Sequence, residues 1–272
     1  MLTRAHLDAL RRWEIERVLA LVPAPRGRVL EIGAAGGFQA ALLAAQFERV
    51  DAVDLPQSIP AGDAAFPVKP YDGHRLPFPD GSFDMVFSSN VLEHIPHVEA
   101  FQAEIRRVLK PDGRAVHVLP SASWRLWTTL THYLDLPVRI VLRLGRPRSS
   151  SFETRPAGAP QDGAKEMRHP EERANASVSK GDSAGRSRIF NALFEFRHGE
   201  RGTTLGELYL FSRLAWRRLF RRNGFVCEAA VPLGLFYTGY SLFDRRVGIA
   251  ARRCLARVLG SATVLYVLRA GA

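Results

Sequence analysis

Cysteine is nearly missing: Cys227 and Cys254 are the only two in 272 residues. Two thiols cannot build a disulfide framework or a cysteine-based zinc site, so no metal is expected and both read as small buried hydrophobes in a reducing compartment. Long hydrophobic runs are missing too. No stretch of 18 apolar residues occurs, and Met1 to Val22 carries Asp8, Glu14 and Glu16 where a signal peptide would need an apolar core. These features point to a cytoplasmic protein and away from secretion or a membrane span. Lysine is scarce, with Lys69, Lys110, Lys165 and Lys180 the only four among 38 basic residues. The arginine-heavy balance fits a GC-rich genome, and that compositional reading is preferred to a partner-driven one.

What is present is enough to build a large core, since 46% of the chain is hydrophobic. The net charge of +11 is uneven: residues 1–140 hold 15 basic against 16 acidic side chains, and residues 201–272 hold 12 against 3. A basic second half can face nucleic acid, anionic lipid or an acidic substrate, but charge alone says nothing about fold.

Along the chain, Leu7, Leu10, Trp13, Ile15, Val18, Leu19 and Val22 mark an amphipathic helix that ends at Pro23 and Pro25 and covers one edge of the core built by the residues after it. A strand–helix rhythm begins at Arg28. It gives strands at Val29–Ile32, Arg49–Asp54, Phe66–Lys69, Phe83–Ser88 and Arg114–Leu119, with helices at Phe38–Phe47 and Val98–Leu109 and a turn at Lys110–Gly113. Such alternation implies a parallel sheet with right-handed crossovers. Trp124, Trp127, Leu130 and Leu134 then predict a helix before Pro137, with an apolar stretch at Val138–Leu144 behind it. Gly145–Arg188 is too poor in apolar residues to order itself and reads as a mobile loop. Order resumes at Ile189–Phe196, with a helix at Leu205–Arg222, a strand at Phe225–Val231, a helix at Leu242–Leu259 and a strand at Ala262–Leu268.

The string Glu31-Ile32-Gly33-Ala34-Ala35-Gly36-Gly37-Phe38 stands where a first strand meets a first helix. Small residues there admit a ligand close to the backbone, and the helix start offers free N–H groups to an anion. Asp54 closes the second strand, where a carboxylate can accept from both ribose hydroxyls. So far NAD and S-adenosylmethionine fit equally. Further motifs narrow the choice: Tyr71-Asp72-Gly73-His74 through Asp80-Gly81-Ser82-Phe83-Asp84, then Ser88-Ser89-Asn90-Val91-Leu92-Glu93-His94, then Arg106-Arg107-Val108-Leu109-Lys110-Pro111-Asp112-Gly113. In this order and spacing, residues 28–120 closely resemble the class I S-adenosylmethionine-dependent methyltransferases, in particular their small-molecule, type 11-like group. Residues 210–270 resemble the end of the same fold more loosely.

The resemblance implies an α/β, Rossmann-like, seven-stranded, mostly parallel sheet with helices on both faces and an inserted cap. Its parts would be a covering helix at 1–27, a cofactor core at 28–120, a cap at 121–208 holding the flexible loop 145–188, and the closing part of the fold at 209–272. S-adenosylmethionine is the implied cofactor. Glu31, Gly33, Ala35 and Gly37 would form the loop at its methionine part, Asp54 would take the ribose hydroxyls, and Leu55 would pack on adenine. Asp72 would accept from the adenine amino group beside the Gly73 backbone, and Ser88, Ser89 and Asn90 would lie near the transferred methyl. Ala35 departs from the family's usual glycine, and its methyl group or a positive φ there would weaken the site.

Candidate bases are His94, His132, His198 and Glu207, none with a partner at diagnostic spacing; His94 and His97 read first as structural. Asp51 reads as pointing to solvent or a helix. Trp124 and Trp127 either line an acceptor pocket or form the apolar face of a covering helix. The leading function is methyl transfer to a small-molecule acceptor, lipid-like, quinone, polyketide or saccharide. An RNA methyltransferase and a cofactor-binding protein without transfer activity are the alternatives; nucleic acid is disfavoured because no separate RNA-binding module is evident. Arg139, Arg143, Arg146 and Arg148 after the apolar stripe would suit peripheral contact at the inner membrane face, while internal packing accounts for the stripe equally well.

Overall fold

The computed structural model describes residues 4–22, 27–62, 64–144, 198–200, 203, 206–239 and 247–271. The expected loop at 145–188 and the stretch at 189–196 lie outside these residues. Seven strands, β1 (Arg28–Ile32), β2 (Arg49–Asp54), β3 (Lys69–Pro70), β4 (Phe83–Ser89), β5 (Leu109–Pro120), β6 (Phe225–Pro232) and β7 (Thr263–Ala270), form one sheet in the order β3-β2-β1-β4-β5-β7-β6. The pairs β1–β2, β1–β4, β2–β3 and β4–β5 are parallel, and β7 runs antiparallel to both its neighbours. The helices are α1 (Arg4–Leu21), α2 (Phe38–Ala44), α3 (Val98–Val108), α4 (Ala122–Leu144), α5 (Gly206–Leu210), α6 (Arg213–Arg222) and α7 (Ile249–Leu259).

The period-2 alternation of the strands sorts the core onto two faces. On one, Leu30, Val86, Ala115, Leu119, Val264, Tyr266 and Leu268 cluster with Val98, Phe101, Ile105 and Val108 of α3 and Trp216 and Phe220 of α6. On the other, Val29, Met85, Phe87, Val116, Val118, Leu265 and Val267 cluster with Ile15, Val18 and Val22 from the α1 segment and Leu43 and Phe47 near α2. Burying each such side chain is favourable by roughly 1.5–3 kcal/mol. The helix α3 shows why its sequence is helical. Val98, Phe101, Gln102, Ile105 and Val108 are buried on one side, Glu99 opens the first turn, and Arg106 and Arg107 close the last, matching the helix dipole.

Several boundaries differ from the sequence expectation. The helix α1 packs on a sheet face instead of an edge: buried Glu14 accepts from Tyr237 Oη at 2.8 Å and from Thr263 Oγ1 of β7 at 2.9 Å. The helix α4 runs on through Pro137 to Leu144, at the cost of one backbone donor. The expected helix at 205–222 is two helices, because extended Ser212 caps α6 by accepting from Ala215 N at 3.2 Å. The third strand is only Lys69–Pro70, proline being unable to extend the ladder. Lys110–Gly113 bulges where the partner of β4 jumps from Leu109 to Arg114, so the expected turn lies inside β5. Of the expected last helix, Ile249–Leu259 is observed. No helix among the described residues is long and apolar enough to cross a membrane.

Candidate functional site

The parallel strands β1, β2 and β4 end on one side of the sheet, and the residues singled out by sequence gather there. Between β1 and α2 the chain turns through three left-handed residues, Gly33 at φ 78°, Ala35 at φ 47° and Gly37 at φ 74°. Gly33 N and Ala34 N donate to Val53 O of β2 at 3.0 and 3.3 Å, and Gly37 N donates to Ala34 O at 2.7 Å. The loop is thus fastened before any ligand arrives. Glycine is required twice. A Cβ on Gly33 would lie 2.3 Å from a Val91 methyl, and one on Gly37 would lie 2.6 Å from the carbonyl oxygen of Phe66. Ala35 takes the strained conformation anyway and donates its N–H to Asp54 Oδ2 at 2.7 Å.

Asp54 therefore does more than close β2. Its Oδ1 accepts from Leu55 N at 2.6 Å, and with Oδ2 on Ala35 it ties the loop to the second strand. Burial raises its pKa, against the lowering by the Ala35 and Leu55 amides and the Ser58 hydroxyl. A carboxylate offers about four acceptor sites, so with these three donors in place Asp54 keeps about one for a further donor. Glu31, whose partner in the β1–β2 register is Ala52, two residues before Asp54, is 1% exposed. Burial first, and the charge of Asp54 second, push its pKa up to about 8, eased by a backbone hydrogen bond at Ala40. Glu31 Oε2 has no hydrogen-bond partner among the described residues. A buried carboxylate oxygen without a donor is costly, and a cationic or N–H-bearing ligand would remove that cost.

Leu55 and Gly73 adjoin, since a Cβ on Gly73 would come within 2.9 Å of Leu55 Cδ2. Gly73 is at φ 80°, and its carbonyl lies 3.2 Å from His97 Nε2, whose ring stacks on His74 at 4.4 Å. His97 is accordingly a support for this turn. Asp72 is exposed and accepts from Arg75 N at 2.9 Å and His74 N at 2.8 Å through Oδ1; these two bonds hold its carboxyl below the usual range. Tyr71, half-buried beside Asp54 and Asp72, has its phenol pushed up by burial and by both charges.

At the end of β4 the expected residues diverge. Asn90 is left-handed at φ 54°, and in the amide orientation that satisfies both groups its oxygen accepts from Arg11 Nη1 of α1 at 2.6 Å. Ser88 faces the core instead, with its hydroxyl 2.8 Å from Nδ1 of buried His117. Burial drives the His117 pKa down to about 3, and Phe220 stacks on the ring at 5.9 Å. Asp51, expected at solvent or a helix, is buried and bonded to Arg28 at 2.9 Å and Lys69 at 3.0 Å. Burial raises its carboxyl, and those partners outweigh it to leave it lowered.

The candidate bases fall into two groups. His94 follows Glu93 in a short turn after β4, and His198 comes from the distant part of the chain to pack 4.8 Å from it, ring to ring. Trp124 of α4, 8% exposed, lies 4.6 Å from the His198 ring. Glu207 is fully buried in an ion pair with Arg125 at 2.9 Å and accepts from Gly199 N at 2.6 Å. His132 is buried against Tyr133. Trp127 donates to Leu259 O at 2.9 Å, so it covers the fold, whereas Leu126, Leu130, Tyr133 and Leu134 remain exposed on one side of α4. Sequence reasoning passed over Arg11, Glu93 and His117. Of these, Glu93 carried a visible signal in its place beside His94.

Residues 30–117 match a family described as methyltransferase domain. An uncharacterized methyltransferase from Mycobacterium sp. (strain KMS) is 39% identical over 123 residues, covering 40% of this chain and 47% of the relative. The ubiquinone/menaquinone biosynthesis C-methyltransferase UbiE of Cupriavidus metallidurans is 40% identical over 70 residues, 26% of this chain and 28% of that protein. The chain thus spans less than half the length of these curated relatives. An S-adenosylmethionine-dependent methyltransferase from Mesorhizobium loti superposes with a TM-score of 0.51 at 17% identity, over 94% of this chain and 97% of that one. The methyltransferase-domain match is confined to residues 30–117, and the fold of the chain is the Rossmann-like fold of the class I methyltransferases.

Proposed function

From that domain we propose that the chain is an S-adenosylmethionine-dependent methyltransferase acting on a small-molecule acceptor. The observation that carries the reading is the pair of buried carboxylates under the β1–α2 loop: Asp54 pins the Ala35 amide, while Glu31 keeps an oxygen with no donor. The residues fit the cofactor on that ground. Glu31 and the loop Gly33–Gly37 would meet its methionine part, Asp54 its ribose hydroxyls, Leu55 and Gly73 its adenine ring, and Asp72 the adenine amino group. Asn90 with Arg11 would stand at its amino-acid end. Ser88, turned to His117, would contribute through its backbone position at the strand end.

When bound, S-adenosylmethionine supplies a methyl group already activated on a sulfonium. The protein's work is then to hold the acceptor in line and keep water out. His94 and His198, packed ring to ring after the end of β4, would be the ionisable groups facing an acceptor; Glu207, locked to Arg125, is a support for the Gly199 backbone. Lipid-like, quinone, polyketide and saccharide acceptors all fit this scheme. The exposed Leu126, Leu130, Tyr133 and Leu134 favour the apolar ones, and they would also allow peripheral contact with a membrane. Thermal unfolding with S-adenosylhomocysteine, S-adenosylmethionine and NAD, beside native mass spectrometry of the purified protein, tests the reading. At 100 times its Kd a ligand adds about 2.7 kcal/mol of stability. The two adenosyl ligands should raise Tm and NAD should not; the reverse order would overturn the proposal.

A further inference from the structure

Three side chains outside the cofactor loop converge in a way that cofactor binding does not use. Glu93, His94 and His198 place one carboxylate oxygen and two imidazole nitrogens within 4.8 Å of one another, with Glu93 Oε1 and His94 Nε2 3.9 Å apart. Around a zinc-sized ion, with bonds of about 2.0–2.2 Å, donor atoms lie roughly 3.3 Å apart. The cluster needs to close by about an ångström, within the reach of side-chain rotation.

Backbone and side-chain contacts together hold the three in place. Glu200 N donates to Glu93 O at 2.9 Å, which docks the segment bearing His198 on the turn bearing Glu93 and His94. Gly199 makes this approach feasible, because a Cβ there would lie 2.9 Å from the same carbonyl. Glu207, itself fixed by Arg125 at 2.9 Å, accepts from Gly199 N at 2.6 Å, and the Trp124 ring at 4.6 Å limits how the His198 ring can turn. Such outer supports are what orient metal ligands. Glu93 is 2% exposed, so a cation there would be shielded from water on the side of the fold.

We propose that Glu93, His94 and His198 bind a first-row divalent transition cation such as zinc or cobalt. Two imidazoles and a carboxylate form a mixed nitrogen and oxygen set suited to these ions and not to magnesium or calcium, which take oxygen ligands. Three protein ligands leave at least one coordination position open. The cation would sit at the end of β4, three residues beyond Asn90, on the side of the sheet that carries the cofactor loop. On the methyl-transfer reading, which this last step alone rests on, an acceptor bearing an oxygen or sulfur donor would fill the open position.

The test uses the full chain, dialysed against a chelator and titrated with cobalt(II) and with zinc(II). The proposal expects one equivalent of metal by elemental analysis, cobalt d–d absorption of a low-symmetry site, and displacement of cobalt by zinc. His94→Ala and His198→Ala should each weaken zinc binding about tenfold or more, with S-adenosylhomocysteine binding serving as the check that each variant is folded. Less than stoichiometric metal in the unaltered protein, or unchanged zinc affinity in both folded variants, would overturn it. Metal binding without S-adenosylhomocysteine binding would sink the methyl-transfer reading and leave the metal site standing.

Discussion

Ala35 and Gly37 share one loop and one backbone hand, at φ 47° and 74°, yet exchanging their side chains should have opposite effects. In Gly37→Ala the new methyl carbon would lie 2.6 Å from Phe66 O, 2.7 Å from Phe66 Cβ and 2.8 Å from Phe66 N. Two of these are backbone atoms and cannot rotate away. The left-handed conformation costs an alanine roughly 1–2 kcal/mol, and forcing the overlap costs roughly 1–3 kcal/mol. Lower entropy of the unfolded chain returns about 0.4–1 kcal/mol. The net expectation is a loss of roughly 2–4 kcal/mol. Ala35→Gly relieves the same conformational strain against the same entropy term and gains roughly 0.5–1 kcal/mol, keeping the Ala35 amide on Asp54. Urea unfolding at constant m-value measures both, and titration with S-adenosylhomocysteine shows whether the loop still binds. A Gly37→Ala midpoint equal to that of the unaltered protein, or an Ala35→Gly variant destabilised by more than about 1 kcal/mol, would refute the reasoning.

Buried charge makes three other sites testable. Glu31, raised to about 8 from an ordinary 4.5, keeps its proton in the folded state over a window where the unfolded chain loses it. Its contribution to stability is therefore full below about pH 4.5 and lost as pH rises through 8; Glu31→Gln should be the more stable protein at pH 8 by a few kcal/mol, read from urea midpoints across that range. A positively charged ligand beside Glu31 should expel this proton, so S-adenosylhomocysteine titrations at pH 7 should show an enthalpy that depends on buffer ionisation heat, and Glu31→Gln should not. Arg125→Met leaves Glu207 buried without its ion-pair partner and should cost roughly 3–5 kcal/mol, again by urea unfolding. His117, lowered to about 3 by burial, should show no titration by NMR between pH 5 and 8; its contribution to stability is held above the unfolded value near 6.5 and declines as pH falls toward 3.

Much of this was legible in the sequence because local and global signals agree. Asp54 stands at the end of β2 as its position after Val50 and Val53 implied, and the turn at Gly33–Gly37 follows from the small residues between an apolar strand and an amphipathic helix. What escaped the sequence depends on tertiary contacts. Ser88 sits one residue short of the strand end, and the period-2 alternation turns it toward His117 on the core face. Asp51 draws Arg28 and Lys69 from neighbouring strands, which only the sheet order β3-β2-β1 reveals. Arg11 reaches Asn90 because α1 lies over the sheet face, a placement no local pattern encodes. Glu93 and His198 are 105 positions apart, and a pairing that distant has no period to betray it.

The central claim is tested most directly by calorimetric titration of S-adenosylhomocysteine into the unaltered protein and into Asp54→Ala. Removing the carboxylate leaves the Ala35 and Leu55 amides and the ligand's ribose hydroxyls without their acceptor, a loss of roughly 1–3 kcal/mol, or about 5- to 150-fold in affinity. Saturable one-to-one binding that weakens by that factor is the predicted result. Equal affinity in both proteins, or no binding by the unaltered protein while NAD binds tightly, would contradict the account.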